Sequence, residues 1–218
     1  MAEEELGPLP AGRHGFSPEQ VAHNQRERLI AALATTVAAR GYSAVTITDI
    51  TREAQVSRRV FYANFEGKEE CFLAAFGVVA DHMRELAAEA AGAEEDWPHK
   101  AIAASRALLA FFASDPDLAR LCLVESQSAG PAISARFHEA VHEALPYLRA
   151  GRTERERGRE LPATTEESTI GALVMLASRK VAAGEAEKLE DLLPDFAEFI
   201  LAPYLGGEEA DRLACEAA

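Results

Sequence analysis

Residues 46–68 read TITDITREAQVSRRVFYANFEGK, and this stretch decides the fold of the first part of the chain. Thr46, followed three residues later by Asp49, is a capping box, which marks the start of a helix. That helix can be only about two turns long, because residues 55–57 have the character of a turn and Ser57 is a second N-cap. The stretch predicts a helix-turn-helix unit, whose second helix can enter the major groove of DNA.

The second helix of this unit carries side chains suited to nucleic acid. Its apolar residues suffice to pack it against the preceding helix, which leaves the polar ones facing outward. Arg58 and Arg59 can donate bidentate hydrogen bonds to guanine or phosphate, and Val60 can contact a thymine methyl group. The candidate DNA-binding residues are Thr46, Thr48, Arg58, Arg59, Val60, Tyr62, Asn64 and Lys68. The alternatives are a solvated surface helix, or a helical interaction module with a vestigial helix-turn-helix.

The rest of the sequence predicts further helices. Upstream, Ser17 and Gln20 form a capping box, and the helix that follows ends at Arg40-Gly41. Downstream, apolar residues recur at helical spacing in several segments, and no useful stretch alternates as a strand would. The predicted helices cover about 68–91, the region of Ile102 to Phe112, a segment from Asp115, one helix through Phe137 to Leu148 that Pro146 interrupts late in its course, and about 165–183 and 189–205. Residues 151–163 are charged without apolar periodicity and predict a loop, so the fold class is all-α.

Charge is distributed unevenly along the sequence. The 218 residues are 48% hydrophobic and carry a net charge of −14. Residues 21–68 hold seven basic and four acidic side chains, a balance of +3, whereas residues 69–218 carry −14. Charges farther apart than about 10 Å are mostly screened at 0.1 M salt, so an acidic body does not prevent phosphate contacts elsewhere.

The sequence favours a cytoplasmic protein with no membrane partner. No apolar run approaches the roughly 18 residues of a membrane span. The first five residues, MAEEE, are acidic where a signal peptide needs basic residues. Cys71, Cys122 and Cys215 are odd in number and widely spaced, which argues against a disulfide framework.

The segment from Gln25 to Phe76 resembles the DNA-binding domain of the TetR/AcrR family of one-component regulators. The resemblance rests on QRERLI at 25–30, ARGY at 39–42, TITDI at 46–50 and AQVSRRVFYANFEGKEE at 54–70. One departure is Gln55, which occupies a turn position where the family usually has Gly, at a cost of about 1 kcal/mol if the residue is left-handed. The eight candidate DNA-binding residues fall on positions that contact DNA in the family.

The resemblance also implies an architecture and a function. It implies about nine helices, with an N-terminal helix-turn-helix domain and a C-terminal helical domain. The expected division is a flexible arm at 1–16, the DNA-binding domain at 17–67, an effector-binding and dimerisation domain at 68–206 and a flexible tail at 207–218. The expected function is that of a homodimeric repressor without a cofactor, which binds a palindromic operator of double-stranded DNA and is released by a small-molecule effector.

Two further sets of candidate residues lie in the C-terminal part. Residues that could line an apolar effector cavity are Trp97, Arg106, Phe111, Phe112, Glu125 and Met175, with an ordinary core as the alternative. The last two predicted helices are apolar over more than one face, which is typical of a dimer interface or of a helix inside one large domain. The candidate interface residues are Val174, Ala177, Val181, Phe196, Phe199, Ile200 and Pro203.

An H-E-x-x-H pattern competes with this interpretation. His138, Glu139 and His142 have the spacing of a zinc hydrolase site, in which both His bind the metal and Glu is the base. Leu145 and Leu148 stand where the extended signature has Gly and a third His. We therefore interpret the pattern as the polar flank of a core helix and predict no catalytic or metal-binding residue, with a zinc-dependent hydrolase as the alternative.

Overall fold

The computed structural model describes residues 17–154 and 156–217, without the side chain of Arg157, and every regular element in these ranges is helical. The all-α prediction is confirmed. Contacts between residues divide the chain into two units, Met1–Val78 and Val79–Ala218. The predicted arm at 1–16 lies outside the described residues. No helix among the described residues combines the length and apolar character needed to cross a membrane.

The first unit contains the predicted helix-turn-helix. Its helices are α1 (Pro18–Arg40), α2 (Ile47–Glu53), α3 (Arg58–Asn64) and the beginning of α4 (Lys68–Gly92), with a 3₁₀ turn at Tyr42–Ala44. The predicted caps are confirmed: Ser17 and Gln20 form one capping box, Thr46 and Asp49 form another, and Ser57 caps α3. The largest fully buried side chains of this unit are Leu29, Leu33, Ile50, Phe61, Phe65 and Phe72.

The second unit packs its helices around α5, α10 and α11. Helix α11 contacts α12 and α5, and α10 contacts α6. The elements are α5 (Trp97–Ser114), α6 (Pro116–Leu123), α7 (Pro131–His142), α8 (Leu145–Arg149), α9 (Glu156–Arg159), α10 (Thr165–Ala182), α11 (Leu193–Leu205) and α12 (Gly207–Ala217). Short 3₁₀ segments lie at Glu125–Gln127, Ala150–Thr153 and Ala186–Leu192.

Two sequence predictions about this unit differ from the structure. The interruption predicted at Pro146 lies slightly earlier, since the helix through Phe137 ends at His142 and a new helix begins at Leu145, which places Pro146 in a first helical turn, where its missing N–H costs nothing. The predicted flexible tail forms α12, whose Ala210, Leu213, Ala214 and Ala217 are buried. These four follow the i, i+3, i+4, i+7 spacing of an amphipathic helix, so the signal was present in the sequence.

A buried ion pair orders the segment predicted as a loop at 151–163. Arg152 donates through Nε and Nη2 to the two carboxylate oxygens of Glu166, at 2.7 and 2.9 Å, and also to the carbonyls of Leu161 and Pro162. The Tyr204 hydroxyl donates to Glu166 at 3.1 Å, and the Arg152 hydrogen bonds hold the pKa of Glu166 below its usual value. This network ties the segment to α10, and the segment contains the short helix α9.

All three cysteines are free thiols, as the odd count and wide spacing predict. Cys71 and Cys122 are buried, and burial raises the pKa of each thiol to about 12. Thiols of this kind stay protonated at neutral pH and are poor nucleophiles.

Candidate nucleic-acid interface

Helix α3 has one anchored face and one exposed face. Phe61 and Phe65 are buried, with ring centroids 5.7 Å apart, and hold the helix in the core of the first unit. Arg58, Arg59 and Tyr62 are exposed, and the Tyr62 side chain is 51% accessible. These three positions are related by i, i+1 and i+4, so they share the outward face of the helix.

The exposed face of α3 is cationic. Arg58 Nη2 donates to the Tyr62 hydroxyl at 3.4 Å, and its guanidinium carbon lies 5.9 Å from the centre of the Tyr62 ring. Arg59 forms no hydrogen bond or ion pair with any other residue that the structure describes. Two guanidinium groups are therefore presented to solvent, and Arg is the side chain best suited to guanine and phosphate.

The turn between α2 and α3 depends on a left-handed residue. Gln55 has φ of 52° and is the one residue other than glycine with positive φ in the described ranges. This confirms the conformation expected from the position where the family usually has Gly. The β-carbon of a left-handed residue is crowded by the following carbonyl oxygen, so this turn is strained.

We expect Gln55→Gly to stabilise the first unit by about 0.5–1 kcal/mol, because glycine adopts positive φ without the steric cost. Gln55→Ala is the matched control, since it shortens the side chain but keeps the β-carbon. Urea unfolding, followed by a probe of the first unit, compares the two variants. Equal stability of the Gly and Ala variants would show that the turn is unstrained.

The Asp49 carboxylate and the Thr46 side chain form the capping box at the N-terminus of α2. The Thr46 hydroxyl accepts from Asp49 N at 3.3 Å, and Thr46 N donates to Asp49 Oδ2 at 3.0 Å. Arg40 pairs with Asp49 at 2.9 Å. The Thr46 hydroxyl also donates to Asp49 Oδ2 at 2.6 Å, and this hydrogen bond, followed by those from Thr46 N and Arg40, lowers the pKa of Asp49 to about 2. Thr48, the other threonine at this helix start, is exposed on α2.

The low pKa of Asp49 predicts an acid-sensitive first unit. A carboxyl group with a lowered folded pKa contributes stability above its unfolded pKa of 3.8, and this contribution is lost as pH falls toward 2. We expect Asp49→Asn to be less stable than wild type at pH 7 and nearly equal to it at pH 2. Denaturant unfolding at stepped pH measures this difference. Glu53→Gln changes an exposed carboxylate on the same helix and is the control. The difference in unfolding free energy between this variant and wild type should stay the same from pH 7 to pH 2.

Three other candidate residues already make contacts within the first unit. Asn64 Nδ2 donates to the carbonyl of Val60 at 2.9 Å, and both residues are half-buried. Lys68 Nζ donates to the carbonyls of Tyr42 and Val45, at 2.6 and 2.7 Å, and burial lowers its pKa. An ammonium group has three donors, so one N–H of Lys68 remains for a phosphate. The role of these residues in DNA binding stays a prediction.

The sequence reasoning missed two arginines of α1 that contact the helix-turn-helix. Arg28 is only 9% exposed and donates to the carbonyls of Ala54 and Gln55. Arg26 donates to the carbonyl of Asn64 at 3.3 Å. A weak signal existed for Arg28, because it lies one turn before the buried Ala32 on the apolar side of α1.

The candidate effector residues of the second unit have different environments. Trp97 is buried, and its indole N–H donates to the carbonyl of Tyr147 at 2.9 Å, so it is part of the core. Phe112 and Glu125 are also buried, Phe111 is half-buried, and Met175 is 65% exposed. Two clefts, of about 390 and 310 Å³, are both lined by Arg106 and by none of the other five residues. The structure does not gather the six side chains around these clefts, and an effector role for them stays a prediction.

The candidate dimer residues are divided by their burial. Ala177, Val181, Phe196 and Ile200 are buried within the second unit and expose little surface to a partner, and their role in an interface stays a prediction. Helices α10 and α11 are apolar on several faces because several elements of their own unit cover them. Phe199 is 51% exposed, and Val174 and Pro203 are half-buried. These three still offer apolar surface.

The H-E-x-x-H pattern lies at the end of α7. His138 Nδ1 is 2.7 Å from the carbonyl oxygen of Ser134 one turn earlier, and His142 is the last residue of the helix. In the described part of the chain, no group of three or more His, Cys, Asp or Glu side chains is arranged to hold a metal ion. The arrangement gives no support to the zinc hydrolase alternative.

Comparisons with known proteins agree with this geometry. Residues 29–75 match the family described as bacterial regulatory proteins, tetR family. Among solved structures, the fatty acid degradation regulator FadR from Bacillus halodurans has 17% identity, a TM-score of 0.72, and coverage of 88% of this chain and 98% of its own. FadR from Bacillus subtilis, in complex with stearoyl-CoA, has 18% identity, a TM-score of 0.66 and coverage of 83% and 98%. A gamma-butyrolactone receptor has 18% identity, a TM-score of 0.64 and coverage of 90% and 96%.

A search of curated proteins gives no significant match. The matched segment contains the whole helix-turn-helix, and the structural likenesses extend the shared fold to most of the chain. Together they define a chain with a TetR-type helix-turn-helix segment and a helical C-terminal unit. Residues 29–75 match the TetR family, and the chain as a whole shares the fold of the TetR-family regulators that it resembles.

Proposed function

We propose that this protein is a TetR-family transcription regulator, namely a homodimeric repressor that binds a roughly palindromic operator through α3. The supporting observation is the division of α3 between buried Phe61 and Phe65 on one face and exposed Arg58, Arg59 and Tyr62 on the other. The two phenylalanines anchor the helix in the core of the first unit, and its exposed donors match the major-groove edges of guanine. On this proposal the protein is cytoplasmic and has no catalytic activity.

A dimer is supported by exposed apolar side chains on α10 and α11. Met175 and Phe199 are both more than half exposed, and Val174 and Pro203 are half-buried. Exposed apolar side chains that lie together mark interaction sites more often than isolated ones do, and a twofold interface would bury the copies from both subunits. Met175, predicted from the sequence as an effector residue, is assigned to this interface. A twofold axis then presents two α3 helices to half-sites about one turn of DNA apart.

Effector control is proposed to act through α4. This helix begins at Lys68 in the first unit and ends at Gly92 in the second. A ligand that binds one position of α4 better than another shifts the equilibrium between the two, and thereby operator affinity. Long-chain acyl-CoA and gamma-butyrolactones are the first compounds to test, because structurally similar regulators are described with them. A drop in operator affinity with one of them would identify the effector class.

The proposal is tested by selecting bound fragments from random duplex DNA with the full-length protein. We expect one inverted repeat to be enriched, with binding that weakens steeply as salt increases. Failure to enrich any sequence at low salt would contradict it. Occupancy of the selected repeat by two chains rather than one would support the homodimer.

A further inference from the structure

Two guanidinium groups of α1 hold the carboxyl ends of both helices of the helix-turn-helix. Arg28 donates to the carbonyls of Ala54 and Gln55, which follow α2. Arg26 Nη1 donates at 3.3 Å to the carbonyl of Asn64, the last residue of α3. The two arginines are two positions apart on one helix, so their side chains leave α1 in nearly opposite directions and can reach separate targets.

The Arg28 contact satisfies two carbonyls of the turn that follows α2. Ala54 is the C-cap of α2 and Gln55 is the left-handed turn residue after it, so both carbonyls lie outside the hydrogen-bonded turns of the helix. The backbone N–H groups of Ala54 and Val56 donate to the carbonyls of Ile50 and Thr51. No backbone N–H of the described turn donates to the carbonyls of Ala54 and Gln55 themselves. A guanidinium only 9% exposed requires acceptors of its own, and these two carbonyls supply them.

The Arg26 contact fixes the other end of the unit. Its guanidinium carbon lies 4.5 Å from the centre of the Phe65 ring, in addition to the hydrogen bond to Asn64. Cation–π contact and carbonyl capping together restrict the end of α3 relative to α1. The start of α3 is restricted in turn through the Arg28-bound carbonyl of Gln55, two residues before the Ser57 cap.

We propose that Arg26 and Arg28 are positioning residues, which set the orientation of α3 for specific DNA recognition without contacting DNA. This inference rests on the proposed function of α3. Base-edge hydrogen bonds require correct placement of the recognition helix, whereas non-specific phosphate attraction tolerates misplacement. Loss of either guanidinium therefore reduces specific affinity more than non-specific affinity.

The orientation itself is tested without DNA, by amide hydrogen exchange of the full-length protein. We expect exchange of the α3 amides to become about tenfold faster in Arg28→Met, and faster by a smaller factor in Arg26→Met. Arg212→Met, which removes an equally charged side chain from α12, is the control and should leave α3 unchanged. Unchanged exchange in both α1 variants overturns the proposal.

The functional consequence is tested with two duplexes of equal length, the inverted repeat selected by the wild-type protein and a scrambled sequence. We expect Arg28→Met to weaken binding to the repeat roughly 10- to 100-fold and binding to the scrambled duplex less than about twofold. Arg28→Lys should recover part of the loss, since an ammonium can reach one of the two carbonyls. Specific affinity within twofold of wild type in both Met variants overturns the proposal, as does an equal loss on both duplexes.

Two further observations separate the possible failures. If Arg28→Met does not fold, Arg28→Lys and Arg26→Met are compared with wild type for their affinities for the repeat and the scrambled duplex. An unchanged ratio of these affinities in both variants overturns the proposal. If the wild-type protein does not distinguish the two duplexes, the proposed function of α3 fails. Hydrogen exchange then still reports on the two arginines, because it requires no DNA.

Discussion

Replacing Arg58 and Arg59 together by alanine should reduce affinity for the selected inverted repeat by at least about 100-fold. Both side chains are exposed on α3, and each can form a bidentate contact with guanine or phosphate. A dimer loses four guanidinium groups at once, so the slope of log affinity against log salt should fall by roughly 2 to 4. Fluorescence anisotropy over a range of salt concentrations measures both quantities.

The control for this double variant is a substitution that removes a positive charge far from α3 in the sequence. Arg212→Ala removes an exposed cation from α12 and should leave operator affinity and salt dependence nearly unchanged. The folded state should not suffer in the double variant, because neither Arg58 nor Arg59 is buried. If the correctly folded double variant bound the repeat with wild-type affinity, α3 would not be the helix that contacts DNA.

In the proposed homodimer, Phe199→Glu should separate the two subunits into monomers. Phe199 is 51% exposed on α11, where a twofold interface would bury both copies, and a carboxylate there would lose its water and approach a like charge. We expect the dimer dissociation constant to rise by about 100-fold or more, which is the effect of losing a central aromatic residue. Sedimentation of wild type and variant across a range of concentrations measures it.

The matched control is Tyr147→Glu, because Tyr147 is a comparably exposed aromatic residue, 58% accessible, on α8 of the same unit. It should leave the dimer intact. Operator affinity should fall in the Phe199 variant, since one α3 per particle engages a single half-site. An undisturbed dimer in Phe199→Glu would place the interface elsewhere.

Local signals in the sequence were sufficient to predict the helix-turn-helix. Ser17, Thr46 and Ser57 each cap a helix through an amide only three residues away, so their role is encoded in short stretches. The left-handed turn at Gln55 is local in the same way. The all-α fold and the family followed from these motifs and from helical periodicity.

Features that depend on distant partners were not predicted. Arg26 and Arg28 bind carbonyls 38 and 26 residues away, and nothing near them in the sequence specifies those acceptors. The buried face of α10 and α11 is decided by which elements pack on them, so Ala177 and Phe196 could not be told apart from the exposed Phe199 by apolarity alone. Helix α12 is different, because its apolar residues have helical spacing in the sequence, although this pattern extends over only two turns.

The central claim, that α3 enters the major groove of DNA, is tested most directly by chemical footprinting of the wild-type protein on its selected fragments. Dimethyl sulfate methylates guanine N7 in the major groove and adenine N3 in the minor groove. We expect protected guanine N7 atoms in two blocks, whose centres lie about one helical turn, or roughly 10 base pairs, apart. Bound fragments in which no guanine N7 is protected would contradict the claim.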